Sequence, residues 1–132
     1  MRVRQRLAAL AGMALAGSWL VLGSAPAEAA GPCGNGYKWL DRYPIGQVGS
    51  IQLYYNPASG KNCALTYAKA QGKKQSMAIK IGLARARTWA DFDHGIYRYY
   101  AGPVYVAARD KCITLHGLVG QSTRYVKRDH CD

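Results

Sequence analysis

His94, His116 and His130 are the residues best suited to acid–base work in this chain. A small metal-free nuclease would pair a general base with a general acid, Glu with His or two His, and add a cation for the phosphate. Beyond Glu28 there is no glutamate. His130 adjoins the last cysteine, and His116 falls in the alternating run Cys112, Thr114, His116. Those positions read as turn and strand residues rather than catalysts. Asp91, Asp93 and His94 offer metal ligands, but a calcium loop supplies more oxygens over a longer stretch. Aspartate also favours turns, because its side chain bonds nearby backbone amides. We therefore expect a loop over 91–95 and no metal. Ser50, Ser59, Ser76 and Ser122 border turns without a histidine nearby in sequence. No G-x-S-x-G, H-E-x-x-H, P-loop or G-x-G-x-x-G occurs. We expect no enzyme and no cofactor.

Tyr97-Arg98-Tyr99-Tyr100 is the most distinctive cluster. Interleaved aromatic and basic residues can stack on sugars or bases and attract anions. On one strand, Tyr97 and Tyr99 would share a face. The competing reading, which we prefer, is a half-buried strand packing its rings on the core. Lys73 and Lys74 form a basic turn that could extend a binding surface, although such pairs are usually solvated charge.

The elements that must position these residues are short β-prone runs separated by turn chemistry. Strands are expected over 37–43 (ended by Pro44 and Gly46), 50–55 and 63–70. Asn56 to Asn62 is a turn. Met77, Ile79, Ile81 and Leu83 alternate with Ala78, Lys80, Gly82 and Ala84, which favours a strand over a helix. Further strands are expected over 96–100, interrupted by Gly102-Pro103, then 104–108, 112–116 and 125–131. The fold class is all-β: a small disulfide-stapled β-sandwich or open β-barrel of about seven to eight short antiparallel strands.

Arg2, Arg4 and Arg6, an uncharged run from Leu7 to Leu22, and Ala27-Glu28-Ala29 have the order of a secretory signal peptide. We expect residues 1–29 to be removed and 30–132 to form one mature domain without a transmembrane span. That part carries fifteen Lys and Arg against six Asp, a formal charge of +9. Such an excess favours anionic polymers, through attraction that salt weakens. Four cysteines in an exported chain imply two disulfides, and four cysteines allow three pairings. Cys112 and Cys131 are equidistant from a midpoint between Gln121 and Ser122, within the turn-prone Gly120 to Thr123. A hairpin there pairs Cys112 with Cys131 and leaves Cys33 for Cys63.

Tyr97 to Val106 reads Y-R-Y-Y-A-G-P-V-Y-V, and it resembles a signature of the spore-associated protein A family. Cys33-Gly34-Asn35-Gly36-Tyr37-Lys38, Gly60-Lys61-Asn62-Cys63, Lys111-Cys112-Ile113 and His130-Cys131 resemble further elements of that family, in order. The chain departs at Asp110, where a glycine is common, and at Leu115-His116-Gly117, where Trp-Gly-Gly is common. The resemblance implies a small exported protein associated with the spore surface of sporulating actinobacteria. It carries no catalytic or binding residue onto this chain. The expected function is a secreted, non-enzymatic spore- or cell-surface protein that binds anionic wall or matrix polymers, with no specific nucleic acid. The alternatives are a secreted protease or hydrolase inhibitor presenting Asn56 to Asn62, and a small nuclease or hydrolase.

Overall fold

The computed structural model describes residues 31–131. The signal-peptide reading of 1–29 lies outside them. Among the described residues, eight strands run in order: β1 Lys38–Ile45, β2 Gly49–Asn56, β3 Lys61–Ala68, β4 Gln75–Leu83, β5 Asp91–Tyr97, β6 Tyr100–Ala107, β7 Ile113–Val119 and β8 Ser122–Asp129. They form two four-stranded antiparallel sheets, β1-β2-β3-β6 and β5-β4-β7-β8. The all-β class is as expected. No helix among the described residues is long and apolar enough to cross a membrane.

Period-two patterning builds the core between the sheets. Ile51 and Leu53 on β2 face Met77, Ile79 and Ile81 on β4 and Ile113 and Leu115 on β7, all fully buried. Gly117 lets the sheets approach closely: a Cβ there would lie 2.6 Å from Ile51. The buried Thr66 hydroxyl crosses the interface to the Ala78 carbonyl at 2.8 Å.

The outer face of the first sheet has its own cover. Cys33, Cys63 and Leu65 form a second buried cluster beneath Tyr37, Tyr54, Tyr67 and Tyr105. The Cys33–Cys63 disulfide pins the N-terminal arm there, and the Tyr105 hydroxyl donates to the Cys33 carbonyl at 3.0 Å. Burial pushes the Tyr54, Tyr67 and Tyr105 hydroxyls above their ordinary pKa. Tyrosine suits this thin covering because its ring buries while its hydroxyl finds a partner.

Several boundaries differ from expectation. Residues 91–95 are not a loop: they open β5. The chain turns instead at Arg98 and Tyr99, passing from the second sheet to the first. Tyr97 and Tyr99 therefore do not share a strand face. Gly102 and Pro103 do not interrupt β6 but lie within it, opposite a register slip between Ala64 and Thr66 of β3. Gly102 has φ +103°, and a Cβ on it would meet the Ala64 carbonyl at 2.9 Å, so the bulge requires glycine. Pro44 does not end β1, because β1 is an edge strand where a missing N–H costs no ladder bond.

Cys112 bonds Cys131 at the open end of the β7–β8 hairpin. The hairpin turn is Gly120-Gln121, with Val119 opposite Ser122, one residue earlier than the cysteine midpoint. A register slip between Ile113 and Leu115 and a left-handed Arg128 (φ 57°) absorb the offset.

Candidate functional site

β5 has reversed polarity. Asp91, Asp93, Gly95 and Tyr97 turn inward, while Phe92, His94 and Ile96 point out. Phe92 is 64% exposed and Ile96 65%. The inward carboxylates have partners in β6, the edge of the opposite sheet. Asp93 Oδ2 accepts the Gly102 N–H at 2.8 Å, and Asp91 Oδ2 accepts the Tyr105 N–H at 3.0 Å. The Tyr97 hydroxyl donates to Asp93 Oδ1 at 2.6 Å, and that bond holds the phenol above its ordinary pKa. These carboxylates therefore join the two sheets where backbone pairing stops. Asp91, Asp93 and His94 form neither the expected turn nor a shared metal site, since His94 faces the other way.

The outward residues build a groove. The register places Phe92 of β5, Lys80 of β4, His116 of β7 and Tyr125 of β8 in one row across the second sheet. The next row holds His94, Ala78 and Leu118. The small Ala78 and the Lys80 stem form a floor between walls of Phe92 and His94 on one side and His116 and Leu118 on the other. Arg87, Thr88 and Trp89, from the loop after β4, close one end. The groove holds about 600 Å³, and none of its lining residues is acidic.

His116 packs against two rings. Its imidazole stacks on Tyr125 with centroids 4.3 Å apart, and Trp89 stacks on the ring at 6.4 Å. Lys80 Nζ lies 5.9 Å from the Trp89 centroid. Burial, then the Lys80 charge, holds the His116 pKa below its ordinary value. His116 Nδ1 is buried without a protein partner. His94 Nε2 lies 3.5 Å from Ser76 Oγ.

The cluster expected from sequence lies elsewhere. The Arg98 guanidinium donates to the Gly72 carbonyl at 3.0 Å, and the Gly72 N–H returns a bond to the Arg98 carbonyl at 2.9 Å. That contact brings the exposed Lys73 and Lys74 beside Arg98 and Tyr99 at one end of the sandwich. Tyr100 packs on Tyr67, with centroids 5.7 Å apart. Tyr97 packs against the core. A shallow hollow follows Tyr97 to Tyr100.

Two other regions are committed to internal contacts. Around Asn56 to Asn62, the Asn56 side chain accepts the Ala58 and Ser59 N–H groups, while Arg109 donates to the Pro57 and Ala58 carbonyls. At the opposite seam, where β1 meets β8, Asp41, Asp129 and His130 converge. Their carboxylates accept bonds from the Arg42 N–H and the Tyr43 hydroxyl, and His130 Nε2 lies 3.4 Å from Asp41. The Arg42 amide is the main reason that Asp41 titrates below its ordinary value.

Sequence reasoning missed Lys80, Arg87, Trp89 and Phe92 as a site and read His94 and His116 singly. The signal was present in the strict alternation of Asp91, Phe92, Asp93, His94, Gly95 and Ile96.

Fold and surface together define a small disulfide-bonded β-sandwich protein with a basic exterior and an aromatic groove on one sheet. The chain is 39% identical over 108 residues to Spore-associated protein A of Streptomyces coelicolor, covering 81% of this chain and 69% of that protein, and it belongs to the same family. No family-level sequence model and no solved structure matches it.

Proposed function

We propose that this is a secreted, non-enzymatic protein held at the spore or cell surface by binding anionic wall or matrix polymers. The name of its relative supports the location. One structural observation carries the binding. Among the described residues, the only ion pairs involve His130, with Asp41 and Asp129. The other inward carboxylates, Asp91 and Asp93, are engaged with backbone N–H groups. Lysines and arginines thus stand without described carboxylate partners, on a chain of net charge +11. Asp41, Asp91, Asp93 and Asp129 are thus engaged by the protein's own hydrogen bonds, and the cations are left to solvent. An uncompensated cationic surface draws anionic polymers over a range set by the Debye length, ~8 Å at physiological salt.

The test is retention of the mature protein on purified spore and hyphal walls. Bound protein should fall steeply between low salt and molar salt. Equal retention at both would sink the electrostatic reading and point to specific packing or covalent attachment.

A further inference from the structure

The geometry points to the groove between Phe92/His94 and His116/Leu118 as a binding site for an anionic saccharide, one or two sugar rings bearing phosphate or carboxylate. This rests on the anionic-polymer reading above and names where and how such a polymer is gripped.

Four observations converge on it. Among the described residues the two sheets are covered unequally: the first carries the disulfide-pinned N-terminal arm on its outer face, while the second carries the loop with Arg87, Thr88 and Trp89 at one end. The reversed polarity of β5 spends Phe92 and Ile96 on solvent, which folding alone does not require. A cavity of about 600 Å³ is the size of a small-ligand site, mainly apolar with a few convergent polar groups. Its charged lining residues, Lys80 and Arg87, are both cations.

The shape selects among anions. A nucleobase needs an open aromatic face. Phe92 offers one such face, while the His116 ring packs against Tyr125 and Trp89 and the Lys80 amine lies over Trp89. What remains is a trough two strand spacings across, ~10 Å between backbones. Its walls alternate apolar (Phe92, Leu118) and polar (His94, Thr88) groups. A sugar ring has that same alternation, with C–H faces between hydroxyls. Lys80 and Arg87 then meet its phosphate or carboxylate, for which a guanidinium has matching geometry. A second copy of this chain is a poor occupant, because it brings the same positive charge.

The experiment is amide and imidazole NMR on the full mature chain, titrated with four probes. They are a glycosyl-phosphate oligomer, a uronic-acid tetrasaccharide, its carboxyl-reduced neutral form, and a single-stranded deoxynucleotide tetramer. We expect saturable shifts confined to Lys80, Arg87, Trp89, Phe92, His94 and Leu118 with one or both acidic saccharides. The stronger of the two identifies the anion. Arg87→Gln, at an exposed position, should weaken binding about tenfold, the scale of one lost charge-assisted hydrogen bond, and Phe92→Ala, also exposed, should weaken it about tenfold through the apolar contact it removes. Lys73→Ala/Lys74→Ala should leave it unchanged. Shifts spread over the basic surface, or centred on Arg98 to Tyr100, would overturn the groove and leave the charge reading standing. Tighter binding of the deoxynucleotide, or line broadening from self-association through Phe92, would also overturn it. If no acidic saccharide binds even at low salt, both readings fail.

Discussion

Asp93 Oδ2 takes the backbone N–H of Gly102 across the gap between the two sheets, at 2.8 Å. Asp91 repeats the arrangement with Tyr105 at 3.0 Å. A hydrogen bond to a charged acceptor contributes ~1.5–3 kcal/mol. Asp93→Ala should therefore lower stability by about 2 kcal/mol in urea unfolding. Hydrogen exchange at the Gly102 amide should speed up while the β2 amides stay protected. Unchanged protection at Gly102 would mean that the carboxylate does not hold the seam.

Tyr97 and Tyr99 should behave differently. The Tyr97 ring lies across Gly95, where an added Cβ would come within 2.8 Å of it. Tyr97→Phe loses the bond to Asp93 and should cost about 1 kcal/mol. Tyr97→Ala should cost more, since it also strips the ring from the core. Tyr99 is 50% exposed, so Tyr99→Ala should change stability by under about 0.5 kcal/mol. Equal effects at the two positions in thermal melts would contradict this geometry.

Cys131→Ser should loosen β8 first. Its disulfide closes a loop of sequence separation 19, and closing a loop of that size contributes about 3 kcal/mol through the unfolded chain. β8 pairs only with β7. Amides of 122–129 should lose protection before those of β2 and β3, which Cys33–Cys63 still braces. Uniform loss across both sheets would show that the hairpin is not a separable unit.

Stability should fall as pH drops below about 6.5, the ordinary histidine value, because His116 is held neutral in the fold by burial and Lys80. The unfolded chain takes up this proton first. The contribution is full above 6.5 and is lost as pH falls through the lower folded-state value. Asp41 acts in a separate window, below its ordinary 3.8. His116→Phe should flatten the slope of unfolding free energy between about pH 7 and 5. An unchanged slope would show that His116 does not carry it.

Much of the sandwich was legible because period-two patterning is set by burial on one face. Ile51 and Leu53, and Met77, Ile79 and Ile81, repeat at that spacing and lie in the core. β5 escaped because its inward residues are acidic, and a rule that reads hydrophobicity cannot see a carboxylate satisfied by a distant strand. The same blindness hid the groove. Lys80, Phe92, His116 and Tyr125 come from four strands and share a row only through register. The Tyr97 to Tyr100 cluster with Arg98 and the basic turn of Lys73 and Lys74 were visible separately, but the Gly72 bridge that joins them was not.

The seam carboxylates also bear on solubility. An unpaired sheet edge is a template for another chain's strand, and proteins avoid this with inward charges, bulges and proline. β6 has two of its donors already taken by Asp91 and Asp93, and a bulge at Gly102-Pro103. β1 has Pro44, with the Arg124 guanidinium on its carbonyl at 2.9 Å. A strand approaching β6 would have to displace a carboxylate from its amide at Gly102 or Tyr105 before bonding there. Crowding many copies together therefore does not extend the first sheet from one molecule to the next through β6, and the chain's net positive charge opposes such contacts as well.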